Sequence, residues 1–428
     1  MLSVNELYQE LKLSNYLVDI DSRKIRKGSI FFGIKGDNFN GNDFVNDAIK
    51  NGSRLAITDE ENPNFNFDKR IIKVSDALST LQELSKFHRK TCNAKVIGIT
   101  GSNGKTTTKE LINLVLSSDY KTICTSGNFN NHIGLPLSLF EIKDDTEFAI
   151  IEMGANNFGE IAFLTSLCEP DYGYITNFGK AHLEGFINVE GVIKAKTELY
   201  EWIIENDKTL LINGQDKNQK KFDVHKHIIF GSSENFNYTF SERNKDFVNV
   251  LFENYLFETK LYGTYNYSNV CAAIALGLEF GIDKNKINQS LKEYQPKNNR
   301  SEIKKIGDKT IVLDAYNANP SSVEEAIKSF SILEGDKAIV LGDMYELGKE
   351  SSIEHKKIIK LCQENINSKC IFIGEKFYSF SNNEQNSNFF KNKSDFFNSN
   401  MEIGEKNILI KGSRGMKMEE IIKHIQEW

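Results

Sequence analysis

At 428 residues the chain is too long for one ordinary core, so two or three domains are expected. A formal net charge of -6 offers no basic surface for nucleic acid, and no apolar run is long enough to span a bilayer. The N-terminal MLSVNELYQELKL mixes acidic and apolar residues where a signal peptide would have a basic start and an apolar run, so a cytoplasmic protein is expected. Residues 1–85 read as a small α/β unit, with strands over 29–34 and 55–58, a loop over 35–42, and a helix over 44–51 closed by Gly52. Asp21-Ser22-Arg23 suits either a ligand contact or a solvated turn, and a helix over 76–88 leads onward.

Residues 86–296 alternate strands, over 96–100, 148–153, 172–176 and 210–213, with helical segments. That is the pattern of a parallel sheet, whose ligands gather at the carboxyl ends of the strands. The decisive stretch is KVIGITGSNGKTTTK, residues 95–109: a buried strand, a glycine-rich turn, and a helix over 109–116. Backbone N–H groups in such a turn and the start of the helix form an anion site. Lys105 followed by Thr106 is the pair that reaches the outer phosphates and the magnesium of a nucleoside triphosphate. The general P-loop pattern wants glycine where Ile99 stands, and Gly98, Gly101 and Gly104 also spell the G-x-x-G-x-x-G of a dinucleotide turn. The dinucleotide rival needs an acidic residue about 20 positions on. The strand over 121–126 runs into Thr-Ser-Gly-Asn without one, so the triphosphate reading is preferred.

Three later residues stand at or beyond strand ends: Glu152, Asn177 and His182. A buried strand rarely ends on an uncompensated carboxylate, so Glu152 suits a magnesium ligand as well as a structural role. His182 alone reads more simply as a hydrogen-bonded loop histidine. The amides of GNFNNHIGLP, residues 127–136, suit ligand oxygens and turns alike. GTYNYSNVCAAIALG, from residue 263, predicts a helix packed closely on a sheet. A third unit, 297–428, has strands over 310–315, 337–341, 370–373 and 407–411, each paired with a helix as in a Rossmann-like domain. Asp314 and residues 411–414 fall at its strand ends, and the polar stretch 379–400 is expected to be irregular or solvated. Cys92, Cys124, Cys168, Cys271, Cys362 and Cys370 contain no C-x-x-C pair, which points to buried, reduced thiols.

Read in order, these segments resemble the Mur ligases of peptidoglycan synthesis along essentially the whole chain. DSR, GSIFFGIKGDNFNGNDF and AIKNGSRLAIT resemble the part with which that family holds a UDP-sugar. TGSNGKTTTKE is similar to the family's own P-loop variant, which accounts for Ile99. GNFNNHIGLPLSL, IEMGANNFGEI, ITNFGKAHLEGF and VIKAKTEL follow in the family's order and spacing, as do DAYNANPSS, VLGDMYELG, His355 and KGSRGMKMEE. Two positions depart. Tyr265 stands where the family's G-x-H-N-x-x-N has histidine, and Thr197 stands where glycine usually follows the modified lysine.

The resemblance implies a three-domain α/β protein: a central P-loop-type parallel-sheet ATPase domain (86–296) between a small N-terminal α/β domain (1–85) and a C-terminal Rossmann-like domain (297–428). It implies a monomeric, cytoplasmic, ATP-dependent ligase that joins D-alanyl-D-alanine to UDP-N-acetylmuramoyl-tripeptide through an acyl phosphate. ATP would be held by Gly101, Ser102, Asn103, Gly104, Lys105, Thr106, Thr107, Asn269, Arg300 and Asp314, the last at the ribose. Thr106 and Glu152 would hold Mg2+, His182 would help hold a second, and Lys196 would be the carbamylated, metal-binding lysine. Lys105, His182 and Lys196 are thus the expected catalytic residues. Ser22 and Arg23 would meet the UDP moiety, while Asn128, Asn131, Asn317, Asn319, Lys411, Ser413 and Arg414 would meet the peptide substrates. The nearest alternative is a folylpolyglutamate synthase, which makes the same kind of intermediate; the complete first domain and DAYNANP argue against it. An NAD(P)-dependent dehydrogenase and a non-catalytic nucleotide-binding module are the alternatives from other classes. Lys105, Glu152, His182 and Lys196 together disfavour the non-catalytic module.

Overall fold

A computed structural model describes residues 2–61, 68–243, 247–365, 368–382 and 387–426. Its first unit is a four-stranded parallel sheet, in the order Val18–Asp19, Ile30–Phe32, Leu55–Thr58, Ile71–Lys73. Ile30, Phe32, Leu55 and Ile57 are buried on one face against Leu7 and Leu11 of the Val4–Leu13 helix and Leu81 and Leu84 of the Ala77–Thr91 helix. Ala77–Thr91, capped by the Asp76 side chain, runs through residue 85 and also packs on helices of the next unit. His88 on that helix bonds to the Ile142 carbonyl at 3.0 Å, and Arg89 donates to the Cys168 carbonyl at 2.8 Å and to Asp171 at 3.0 Å. The segment read as a loop over 35–42 contains a small hairpin, Lys35–Gly36 against Phe39–Asn40, because Asp37 and Asn38 supply a tight turn between residues able to pair.

The second unit is a nine-stranded sheet. Its order is Tyr255–Glu258, Asn249–Phe252, Tyr238–Glu242, His227–Gly231, Thr209–Asn213, Tyr172–Ile175, Lys95–Thr100, Phe148–Glu152, Thr122–Cys124. The expectation of a parallel sheet needs correction at one edge. Tyr238–Glu242, Asn249–Phe252 and Tyr255–Glu258 form an antiparallel meander. Lys95–Thr100 lies between Tyr172–Ile175 and Phe148–Glu152, and the chain leaves it first to one side and later to the other. Its carboxyl end is therefore a topological switch point, the place where such sheets open a crevice. The helix after it begins at Lys105, not at 109, since the threonines and Lys109 already belong to its first turns. The helix Tyr267–Glu279 packs on Lys105–Leu116 and, as expected, directly on the sheet, against Thr209–Asn213, His227–Gly231, Tyr238–Glu242 and Asn249–Phe252; Gly277 permits the close approach of Val115 and Ile287.

The third unit is a six-stranded sheet, ordered Glu302–Ile306, Lys309–Asp314, Asn407–Lys411, Lys337–Gly342, Ser368–Ile373, Asn388–Phe390, parallel except for its first strand. The stretch 379–400 is not wholly irregular: it contributes the strand Asn388–Phe390 and the helix Lys393–Asn398, which bury Phe396, while 383–386 lie outside the described residues. One apolar core runs from the second unit into the third, and Tyr262 crosses that boundary to donate to the Ser329 carbonyl at 3.0 Å. Among the described residues the six cysteines form no disulfide; Cys92 and Cys124 are only partly buried. Among the described residues no helix is long and apolar enough to cross a membrane.

Candidate active site

The glycine-rich turn takes its shape from two positions that tolerate no side chain. Gly101 has φ +141° and a Cβ there would come 1.9 Å from Thr176 Oγ1; Gly104 has φ +78° and faces Asn269. Neighbouring strand ends clamp the turn between them. Asn177 accepts from the Asn103 N–H at 3.0 Å and donates to the Asn103 carbonyl at 3.0 Å, and its own carbonyl accepts from the Ser102 N–H at 3.1 Å. Asn269, buried in the helix Tyr267–Glu279, accepts from Thr108 and donates to Asn266, each at 3.0 Å. The Lys105 ammonium folds back onto the Gly101 carbonyl at 2.7 Å, and burial lowers its pKa, opposed by Glu152. A cavity of about 710 Å³ opens at this turn.

Glu152 ends its strand with a side chain only 2% exposed. One carboxylate oxygen accepts from Asn130 Nδ2 at 2.8 Å; the other is buried without a hydrogen-bond partner, and Lys109 Nζ stands 4.0 Å from it. Lys109 is itself buried and donates to the Thr125 carbonyl at 2.6 Å. An unbonded carboxylate oxygen beside a phosphate-type loop fits a hard divalent cation. Among the described residues no three His, Cys, Asp or Glu side chains form a group that could hold a metal ion. His182 lines the same cavity, at φ +52°, with Nδ1 2.6 Å from Glu346 Oε2. Lys196 does not line the cavity. It is fully buried in the helix Val189–Glu205, 5.4 Å from the centre of the Phe186 ring, and desolvation followed by the charge of Lys105 lowers its pKa to about 7. A largely neutral amine is the form that can capture carbon dioxide.

The opposite wall belongs to the third unit. Asp314 and Lys411 are register partners at the carboxyl ends of adjacent strands and form a close ion pair; the Lys411 side chain is 3% exposed. The second Asp314 oxygen accepts from the Ser301 N–H at 3.1 Å, and Ser301 bonds Tyr265 through its hydroxyl at 2.7 Å. Arg300 stacks on Tyr316 with its guanidinium carbon 3.4 Å from the ring centre. Asn319 caps the helix Pro320–Ser331 and donates from Nδ2 to Asn103 Oδ1 at 2.7 Å, tying this wall to the phosphate-type loop. Asn317, Asn128 and Asn131 also line the cavity, although Asn131 Oδ1 is occupied by the N–H groups of Ile133 and Gly134.

Other expected residues lie apart from this cavity. Ser22 is buried in a 3-10 turn, and Arg23 is an exposed side chain bonded to Asp21 at 2.9 and 3.0 Å. Ser413 accepts from the Tyr345 N–H at 2.8 Å, and Arg414 pairs with Glu419 at 2.8 Å. His355 is fully buried, accepting from the Met344 N–H at Nε2 and donating from Nδ1 to the Ser351 carbonyl, so it supports the loop after Lys337–Gly342.

Three family models match the chain in succession: Mur ligase family, catalytic domain, at residues 15–89; Mur ligase middle domain at 99–277; and Mur ligase, glutamate ligase domain at 299–426. The UDP-N-acetylmuramoyl-tripeptide--D-alanyl-D-alanine ligase of Bacillus subtilis is 35% identical, over 96% of this chain and 93% of its own length. The chain belongs to the Mur ligase family. The Escherichia coli protein of the same name is 30% identical over the same shares of both chains. The Acinetobacter baumannii MurF crystal structure superposes with a TM-score of 0.87 at 26% identity, covering 98% of each chain. The Thermotoga maritima MurF structure in complex with ADP shares the fold, with a TM-score of 0.84 at 24% identity over 97% and 98% of the two chains.

Within this Mur ligase the two departures are accommodated locally. Thr197 stays in regular helix and donates to the Lys194 carbonyl at 3.0 Å, so the backbone beside Lys196 is undisturbed. Tyr265 uses its hydroxyl on Ser301. Several site residues escape a reading from sequence. Asn130, between the two asparagines singled out, is the one that holds Glu152, and Lys109 places a buried cation beside it. Glu152 at a strand end was the available signal for both; its partners were not visible until the turn brought them together.

Proposed function

We propose that this Mur ligase joins D-alanyl-D-alanine to UDP-N-acetylmuramoyl-tripeptide at the expense of ATP, in cytoplasmic peptidoglycan precursor synthesis, and that it works as a monomer. The observation that carries the reading is one cavity walled on one side by the Lys105 loop and Glu152 and on the other by Asp314, Lys411 and Asn319. The terminal carboxylate of the tripeptide attacks the γ-phosphorus of ATP; its oxygen gains the phosphoryl group while the bond to the β-phosphate breaks, leaving ADP. The dipeptide amine then attacks the acyl carbon, loses a proton, and phosphate departs with the bridging oxygen. Such transfers depend on positioning and on neutralising charge.

The loop Gly101 to Thr107 would cradle the phosphates through the backbone N–H groups that Asn177 leaves open, those of Ser102 and Asn103 being taken by it, and Lys105 would swing from the Gly101 carbonyl onto the outer phosphate. Asn269, Arg300 and Asp314 take the nucleoside end; Asp314 reaches a ribose only by sharing its oxygens with Lys411 and Ser301. Thr106 and Glu152 would hold one magnesium, and His182, with Lys196 once carbamylated, would serve the second. Bound magnesium supplies positive charge against the phosphates as charge redistributes in the transition state. Ser22 and Arg23 receive the UDP end. Asn128, Asn131, Asn317, Asn319, Lys411, Ser413 and Arg414 receive the peptide ends of the two substrates. The boundaries 1–85, 86–296 and 297–428 divide these tasks.

The test is phosphate release by the purified chain. It should require the UDP-sugar tripeptide and D-alanyl-D-alanine together, and it should be slow with ATP alone, since an acyl phosphate open to water is lost to hydrolysis. Release at the same rate with L-glutamate, or with no amine, would overturn the assignment in favour of a folylpolyglutamate-type ligase or an idle ATPase.

A further inference from the structure

Glu346 belongs to the third unit, in the loop after the strand Lys337–Gly342, yet its carboxylate meets a residue of the second: Oε2 lies 2.6 Å from Nδ1 of His182. The two backbones are joined at the same place, where the Glu184 N–H donates to the Glu346 carbonyl at 3.2 Å. Both side chains are carried on left-handed backbone, His182 at φ +52° and Glu346 at φ +61°. Non-glycine residues adopt that conformation at a cost, and such strain persists where surrounding contacts fix it. An interdomain ion pair needs none of this, since two mobile side chains would serve.

The chemistry of the pair explains the geometry. At 2.6 Å a ring nitrogen and a carboxylate oxygen must share a proton, although the ring N–H points off the line of a good hydrogen bond here; a carboxylate only accepts, so the proton sits on Nδ1 and the lone pair on Nε2. Histidines that ligate metals are fixed in this manner, by a carboxylate on the nitrogen away from the metal. Since His182 lines the cavity that holds Lys105 and Glu152, Nε2 is the nitrogen left to serve it.

We propose that Glu346 is a positioning residue for the second magnesium site: it aims His182 Nε2 into the cavity, and because it comes from the third unit, that ligand is set only when the third unit is docked on the second. The proposal rests on the ligase reading above, in which His182 helps hold that magnesium. The experiment is a titration of the ADP-loaded full chain with Mn2+, following free Mn2+ by electron paramagnetic resonance. Glu346→Ala should weaken the weaker Mn2+ site by about 10- to 100-fold, with ADP affinity within about twofold of wild type because the phosphate-type loop is untouched. Glu346→Gln, whose amide oxygen still accepts from Nδ1, should fall between the two. His182→Ala should lose the site, and adding Glu346→Ala to it should cost no more Mn2+ affinity. Wild-type Mn2+ affinity in Glu346→Ala, or losses that add independently in the double variant, would overturn the proposal and leave Glu346 as a docking contact. No tripeptide or dipeptide enters the titration, so its failure is distinct from a failure of the phosphate-release test.

Discussion

Lys196 offers the sharpest test of the packing around the active site, through its replacement by methionine, which keeps the length and removes the charge. The side chain is 1% exposed and burial is the first cause of its low pKa, about 7 against the ordinary lysine value of 10.5. Below pH 7 the amine is protonated in both folded and unfolded chains, and the folded chain bears the whole burial cost, on the order of 5 kcal/mol. Between pH 7 and 10.5 the unfolded chain binds more protons than the folded one, so stability rises with pH across that window. Lys196→Met has no such slope. Without nucleotide, Mg2+ or carbon dioxide it should be the more stable protein at pH 6.5, and its advantage should shrink by about 2 kcal/mol by about pH 8.5. For a domain of this size that is about 4–8 °C in the separation of the two melting temperatures. Calorimetric scans at the two pH values measure it. At about pH 8 some nine in ten Lys196 amines are neutral, so 13C-bicarbonate should give a carbamate resonance that Lys196→Met lacks. A stability gap equal at both pH values would refute the desolvation argument and remove the ground for a carbamate.

Lys105→Ala should lower phosphate release by about a hundredfold or more while leaving the melting curve in place; near wild-type turnover would exclude the triphosphate role of the loop. Gly101→Ala should abolish ADP binding by calorimetry, since its Cβ would stand 1.9 Å from Thr176 Oγ1 on backbone at φ +141°; ordinary ADP affinity would mean the clamp yields. Asn130→Ala removes the donor to Glu152 Oε1 and should cost about 1–3 kcal/mol in urea unfolding at neutral pH, the penalty for a buried acceptor left unpaired. A loss below that range would mean water or Lys109 replaces the amide.

The parts of the fold legible in sequence are those whose local pattern and tertiary role agree. KVIGIT, FAIIE and NILIK are nearly continuous apolar runs because both faces of their strands are covered, and the last two end on Glu152 and Lys411, which line the crevice. The meander over 238–258 was missed because its strands are short and half-exposed, with Asn, Glu and Lys between aromatic residues, so neither period stands out. The glycine loop and Glu152 could be read because their chemistry is local. The choice among Asn128, Asn130 and Asn131 could not: the turn in which the Asn130 N–H bonds the Asn128 carbonyl decides which amide faces Glu152.

Glu346 marks the other limit. Its partner lies on a different unit, and no spacing within either segment connects them. The same holds for Asn319, which reaches Asn103 across the same boundary, and for the Lys180 N–H, which donates to Ser321 at 2.8 Å. All three bonds join loops beyond the carboxyl ends of one sheet to the facing loops of the other. A reaction that must exclude water gains from such an arrangement if, as proposed above, one wall takes the nucleotide and the other the second substrate, since each is then completed only when the other is in place. On this account the interface between the second and third units is part of the catalytic apparatus: weakening a bond within it should lower turnover before it lowers the affinity of either unit for its own substrate.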